Sequence, residues 1–249
     1  MRRGAAAAAA LALACALPAV ALAGTLVGTD GSDILKGTDR PDQIYGEGGD
    51  DVISGYRGGD YLEADSGNDD VSGGSGVDLL IGGTGDDRLD AGSGGDVVYA
   101  GAGADTVLGG GGADILFGQA GDDRLFGGSG RDRIYASLGG DFADGGAGAD
   151  HITADDGNAT IRGGSGNDRL SAGGGDEDVG GGSGNDRIRT GRGRDHVVGG
   201  GGEDRIWTGR GRDRIDVKDG RRDRVRCGPG RDVVVADAID DLIGCEVMR

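Results

Sequence analysis

The chain is short of almost everything from which a conventional core is made. One Trp, three Phe and five Tyr in 249 residues leave no aromatic cluster on which a compact domain could condense. Two His and three Cys argue against a transition-metal centre, since zinc and its neighbours favour imidazole and thiolate ligands. His151 and His196 are 45 residues apart and form no HExxH pair. The only lysines are Lys36 and Lys218, so no glycine-rich turn ends in the Lys that a phosphate-binding loop requires. After residue 23 no apolar run approaches the length of a membrane span.

Glycine and acid take their place. Sixty residues are Gly, and 44 Asp and Glu oppose 26 Lys and Arg for a formal charge of −18. Such a charge disfavours nucleic acid and anionic membrane surfaces as partners. Residues 1–23 form a separate unit, with Arg2 and Arg3, an Ala-rich apolar stretch and Ala21-Leu22-Ala23, which reads as a secretory signal peptide cut after Ala23. A retained anchor is the rival reading, weakened by the short, alanine-rich stretch. Cleavage leaves 24 basic residues against 44 acidic ones, places the mature chain outside the cytoplasm and implies no membrane insertion.

From Gly28 to Asp216 the chain repeats every nine residues, 21 times. Position six is Asp in 19 repeats, the exceptions being Ala159 and Glu177, and position four is Gly in all but one, where Arg40 intrudes. Position eight is always aliphatic, from Leu35 to Ile215, with Ala143 the smallest. Acidity for solubility explains the charge but not this register. A glycine run such as 163–167 turns sharply, because glycine accepts positive φ at little steric cost. The three residues after each Asp, such as Arg169-Leu170-Ser171, make a short strand with one side chain inward and two outward. The expected fold is therefore all-β: a parallel β-roll or β-solenoid of about 21 nine-residue repeats, two to a coil, with coils stacked at roughly 4.8 Å. Carboxylates of successive coils would then stand about 5 Å apart and repel strongly unless cations lay between them. Carboxylates and turn carbonyls are hard oxygen ligands in a flexible loop, which suits Ca²⁺ better than the stricter octahedron of Mg²⁺.

The frame resembles the hemolysin-type (RTX) calcium-binding nonapeptide, GGxGxD followed by a strand. Full matches stand at 73–78, 82–87, 109–114, 127–132, 145–150, 163–168, 181–186 and 199–204, with near matches such as AGSGGD and two TGRGRD runs between them. The resemblance implies a β-roll with Ca²⁺ held between stacked turns by the sixth-position Asp and loop carbonyls. Carried onto this sequence, that role falls to Asp78, Asp87, Asp96, Asp105, Asp114, Asp123, Asp132, Asp150, Asp168, Asp186, Asp195, Asp204 and Asp213. Repeats within 24–72 are degenerate, as in GTDRPD and GYRGGD, and those of 73–216 are stronger. Both exceptions lie on the side of Asp141 and Asp195, so one ladder of ions is expected to be continuous and the other interrupted, with Asp155, Asp156, Asp176 and Asp178 available nearby.

Beyond residue 216 the frame slips by one residue, and 217–249 reads as a cap over the last apolar layer. Cys227 and Cys245, one coil apart, are either a disulfide or two free thiols, and export favours the disulfide. Ile81, Tyr99, Phe117 and Tyr135 recur every eighteen residues at position nine and should stack on the outer face. Arg192, Arg194, Arg210 and Arg212 in the TGRGRD loops are expected to pair with nearby Asp rather than to bind an anionic polymer. No catalytic constellation emerges. The expectation is a secreted or cell-surface, non-enzymatic, calcium-binding repeat protein with a structural or adhesive role, whose partners are calcium ions and a surface polysaccharide or protein. A polysaccharide-modifying enzyme or glycan-binding protein using the aromatic face is the alternative.

Overall fold

The computed structural model describes residues 24–248, so the expected signal peptide at 1–23 lies outside the described residues. No helix occurs among them. The chain winds as a parallel β-solenoid of about 12 turns. Apart from a two-stranded pair formed by Arg192–Gly193 and Arg210–Gly211, consecutive strands alternate between two thirteen-stranded parallel sheets. The first sheet begins with Gly24–Val27, Asp42–Tyr45 and Tyr61–Ser66, and the second with Ile34–Lys36, Val52–Arg57 and Asp70–Ser75.

The eighteen-residue register stacks like on like. Leu116 lies between Val98 and Ile134 in the first sheet, and Val107 between Leu89 and Leu125 in the second. These aliphatics are fully buried, and Ala143 is the one small rung. One large apolar group per nine residues is thin burial, and most of the order resides in backbone ladders.

Glycine at positions two and four has a conformational cause. Gly110 and Gly128 at position two have φ of 93° and 99°, and Gly112 and Gly130 at position four have φ of 141° and 137°. Position two tolerates replacement: Glu47, Tyr56, Asp65, Gln119 and Ser137 adopt the same left-handed turn at φ of 71–79°, each at a cost of order 1 kcal/mol. Position four does not where it meets the coil before, because there the corners of successive coils touch, and its one replacement is Arg40 in the second repeat. A Cβ on Gly112 would overlap the carbonyl oxygen of Gly94.

The frame slip after residue 216 is absorbed without leaving the solenoid. Arg205 pairs with Arg224, nineteen residues on, and the strands Arg224–Arg226, Val233–Val235, Asp241–Ile243 and Glu246–Met248 continue both sheets to the end. The final coil is shorter, with Val233 opposite Glu246. A disulfide joins Cys227 to Cys245 across this last winding, with the Cα atoms 5.3 Å apart.

Candidate metal centre

Each sixth-position Asp sits at a corner where the chain enters a strand, and its side chain points into the coil. Its two carboxylate oxygens have different fates. Oδ1 accepts a hydrogen bond from the backbone N–H of the Asp one coil earlier: Asp96 N–H donates to Asp114 Oδ1 at 2.8 Å, and Asp114 N–H to Asp132 Oδ1 at 2.9 Å. Repeated along the rod, these bonds make two carboxylate ladders. The first runs without a break from Asp42 through Asp60, Asp78 and onward to Asp186 and Asp204, and crosses the frame slip to Asp223. The second runs from Asp33 through Asp51 to Asp123 and Asp141, and resumes through Asp195 and Asp213 to Asp232.

Oδ2 has no such partner. In twenty ladder carboxylates one oxygen is buried without any hydrogen bond, including all thirteen Asp residues singled out from the sequence. Leaving a buried acceptor unsatisfied costs about 1–3 kcal/mol, and more when it is charged. Neighbouring carboxylates one coil apart add repulsion of roughly 3 kcal/mol per pair at an effective dielectric constant near 20. Burial, opposed by the backbone hydrogen bond and reinforced by the neighbouring ladder charges, pushes Asp87, Asp96 and Asp150 up to about 7. The same causes push Asp132 and Asp213 up to about 6. A row of buried, mutually repelling oxygens is what a hard cation would satisfy.

Backbone oxygens complete the fit. A Cβ built on Gly127 would lie 2.6 Å from Asp132 Oδ2 and 2.7 Å from the Gly145 carbonyl oxygen, so the glycine leaves a small space edged by oxygens of two coils. No group of three or more His, Cys, Asp or Glu side chains converges among the described residues. Ligands from carbonyls as well as carboxylates suit Ca²⁺, which takes six to eight oxygens in irregular geometry.

The two ladders differ at the exceptions that the nine-residue frame places on the second of them, and the structure shows how. At Ala159 the second ladder has no carboxylate. At the next rung Glu177 takes the Asp place: Oε2 accepts from Ala159 N–H at 2.9 Å, and Oε1 is buried without a partner. Three of the four nearby acids are engaged elsewhere. Asp156 accepts from Gly174 N–H, Asp176 pairs with Arg194, and Asp178 pairs with Arg162 at 2.6 Å and His196 at 3.0 Å. Position one is also asymmetric. In seven of the eleven repeats of the second ladder it is Ala or Thr (Ala64, Ala100, Ala136, Ala154, Ala172, Thr190 and Thr208), the other four keeping glycine, whereas in the first ladder only Ala91 departs from glycine between residues 37 and 199. A methyl group there occupies space that glycine leaves open.

Asp51, Asp60, Asp69, Asp141, Glu177, Asp223 and Asp232 share the orphaned geometry although their loops depart from GGxGxD. The repeat register alone would have found all but the last two, which follow the frame slip. Asp33 and Asp42 are different. Their Oδ2 atoms accept from Thr29 N–H at 2.7 Å and Thr38 N–H at 2.6 Å, and from both threonine hydroxyls at 2.9 Å. At the other end Asp240 accepts from both Asp223 and Asp237 N–H. The ladders are thus closed by local hydrogen bonds at the first rungs and at the tail of the first ladder.

On the outer face Tyr99, Phe117 and Tyr135 stack with centroids 4.8 and 4.9 Å apart and planes within 9° of parallel. Their faces meet one another along the rod, so mainly ring edges reach solvent.

Fold and site together define a parallel β-solenoid whose turns present two rows of hard oxygen ligands. The RTX calcium-binding nonapeptide repeat matches ten overlapping stretches that run from 27–62 to 180–215. The chain belongs to that family and is a calcium-binding structural repeat protein, with calcium ions as its cofactor. No curated protein matches it.

Proposed function

We propose that the mature chain is an exported rod, secreted or held at the cell surface, that orders on binding Ca²⁺ and serves as a structural or adhesive module without catalysis. The thirteen Asp residues from Asp78 to Asp213 supply carboxylate ligands, and the orphaned oxygens of Asp51, Asp60, Asp69, Asp141 and Glu177 extend the set. Turn carbonyls supply the rest. When bound, the ions neutralise the ladders; the protein's part is to bring carboxylates eighteen residues apart into one row and to fix each by a backbone N–H.

The observation that carries this reading is the row of buried, unpartnered carboxylate oxygens. Without cations a glycine-rich, acidic chain with few large apolar groups has the composition of a disordered segment, so binding free energy becomes folding free energy. Calcium outside cells and an amino-terminal signal at 1–23 support export. Circular dichroism of the purified mature chain, with chelator and then with added calcium, tests the coupling. A β-sheet spectrum is expected only with calcium, and equal β content in both samples would refute it.

A further inference from the structure

The outer face of the first sheet changes character along the rod. From Leu79 to Phe117 its outward residues are apolar. From residue 133 onward the parallel register sets Arg133, His151, Arg169, Arg187, Arg205 and Arg224 in one column, one per coil. Beside it run Ser171, Arg189, Trp207 and Arg226, with the Arg189 guanidinium 5.4 Å from the Trp207 ring centre. All seven arginines are exposed. Of these seven, only Arg224 forms a salt bridge with a described residue, to Asp241 at the end of the column. The opposite sheet is not built this way. There, over the same coils, Asp178 takes both Arg162 and His196, and Asp216 lies two residues from Arg214 on the same strand. A chain with 44 acidic residues thus keeps them off one strip of its surface.

Between the two columns lies a groove of about 290 Å³ lined by His151, Arg169, Ser171, Arg187, Arg189 and Trp207. Like charges at strand spacing, about 4.8 Å, call for a ligand with a negative group at each step of a line. We propose that this face binds a linear carboxylated polysaccharide lying along the rod axis, one uronate per arginine rung. The guanidinium fork matches a planar carboxylate in two parallel hydrogen bonds, and a sugar ring is about as long as one coil is thick. Nucleic acid fits less well. A duplex carries phosphates every 3.4 Å per strand, and a single strand needs successive aromatic platforms, where this groove offers one Trp.

The ladders bear on this face through long-range charge. Neutralising the twenty carboxylates that hold orphaned oxygens takes the mature chain, with 24 basic and 44 acidic residues, from a formal charge of −20 to about 0, so calcium removes the field that would repel a polyanion. That dependence rests on the function proposed above. The arginine track does not.

The test uses the full mature chain in calcium, fluorescent polygalacturonate as probe, and circular dichroism on the same samples. Salt-sensitive binding is expected, with none to neutral dextran and weaker binding to a single-stranded oligonucleotide. The variant R169Q/R187Q/R205Q should bind at least about tenfold more weakly, and R88Q/R214Q on the other sheet should bind as the parent does. An intact rod that ignores polygalacturonate, a triple variant that binds unchanged, or an oligonucleotide that binds as tightly would each overturn the proposal. If the triple variant loses its β spectrum, Arg187→Gln alone decides, with a loss of about threefold expected and no loss refuting. A chain that folds and binds without calcium would sink the cation reading and leave the surface standing.

Discussion

Replacing Ala159 by Asp would fill the one missing rung of the second ladder, and its effect should change sign with calcium. Asp123 N–H donates to Asp141 Oδ1, and Ala159 N–H donates to Glu177 Oε2, but Asp141 N–H faces a methyl group instead of a carboxylate. An Asp at 159 supplies that acceptor, and hydrogen bonds to charged groups contribute about 1.5–3 kcal/mol. It also brings a new buried charge within one coil of Asp141 and Glu177, at roughly 3 kcal/mol of repulsion for each neighbour when no cation intervenes. With calcium the first effect wins; without it the second does. In saturating calcium Ala159→Asp should therefore raise the melting temperature by roughly 3–12 °C and add bound ions, counted by equilibrium dialysis. Under limiting calcium it should fold less readily, so the calcium dependence steepens. If the variant melts lower in saturating calcium and binds no further ion, the assignment of these carboxylates to cations is wrong.

Two further expectations follow from the corners. Gly112→Ala drives a Cβ into the Gly94 carbonyl oxygen at a backbone conformation reserved for glycine, and should cost more than about 3 kcal/mol in calcium denaturation midpoints or split the rod into two melting units; a neutral Gly112→Ala would show that coils do not stack so closely. The pH dependence of the calcium-free chain follows from the raised carboxylates. Asp87, Asp96, Asp150 and Glu177 sit near 7 in the folded rod, against ordinary values near 4 when unfolded. Between these limits the folded state holds more protons, so stability without calcium falls as pH rises from about 4 to about 7 and is fully present only below that window. Chelated protein should regain β-sheet signal on acidification from pH 7 toward 4, while the calcium needed for folding at neutral pH should increase as pH falls. Loss of residual order on acidification would contradict the buried ladder.

The repeat dictated the fold because a period of nine, with one inward aliphatic and a glycine turn, has few other ways to bury its apolar groups. Position eight from Leu35 to Ile215 and position six from Asp33 to Asp213 were legible from spacing alone, since a two-repeat coil fixes which residues face inward. Spacing likewise placed Ala159 and Glu177 on the same ladder. It could not say that Glu177 reaches the Asp position, that Asp176 and Asp178 turn outward to arginine and histidine, or that Thr29 and Thr38 close the first rungs, because these depend on rotamers and on partners one coil away. Nor could loop quality by itself admit Asp51, Asp60 and Asp69, whose turns hold Glu47, Tyr56 and Asp65 in left-handed conformations that motif matching counts against them. The inward pattern belongs to the chain's own periodicity. The unpaired oxygens and the arginine column exist only where parallel stacking sets residues eighteen apart side by side, a proximity that winding creates.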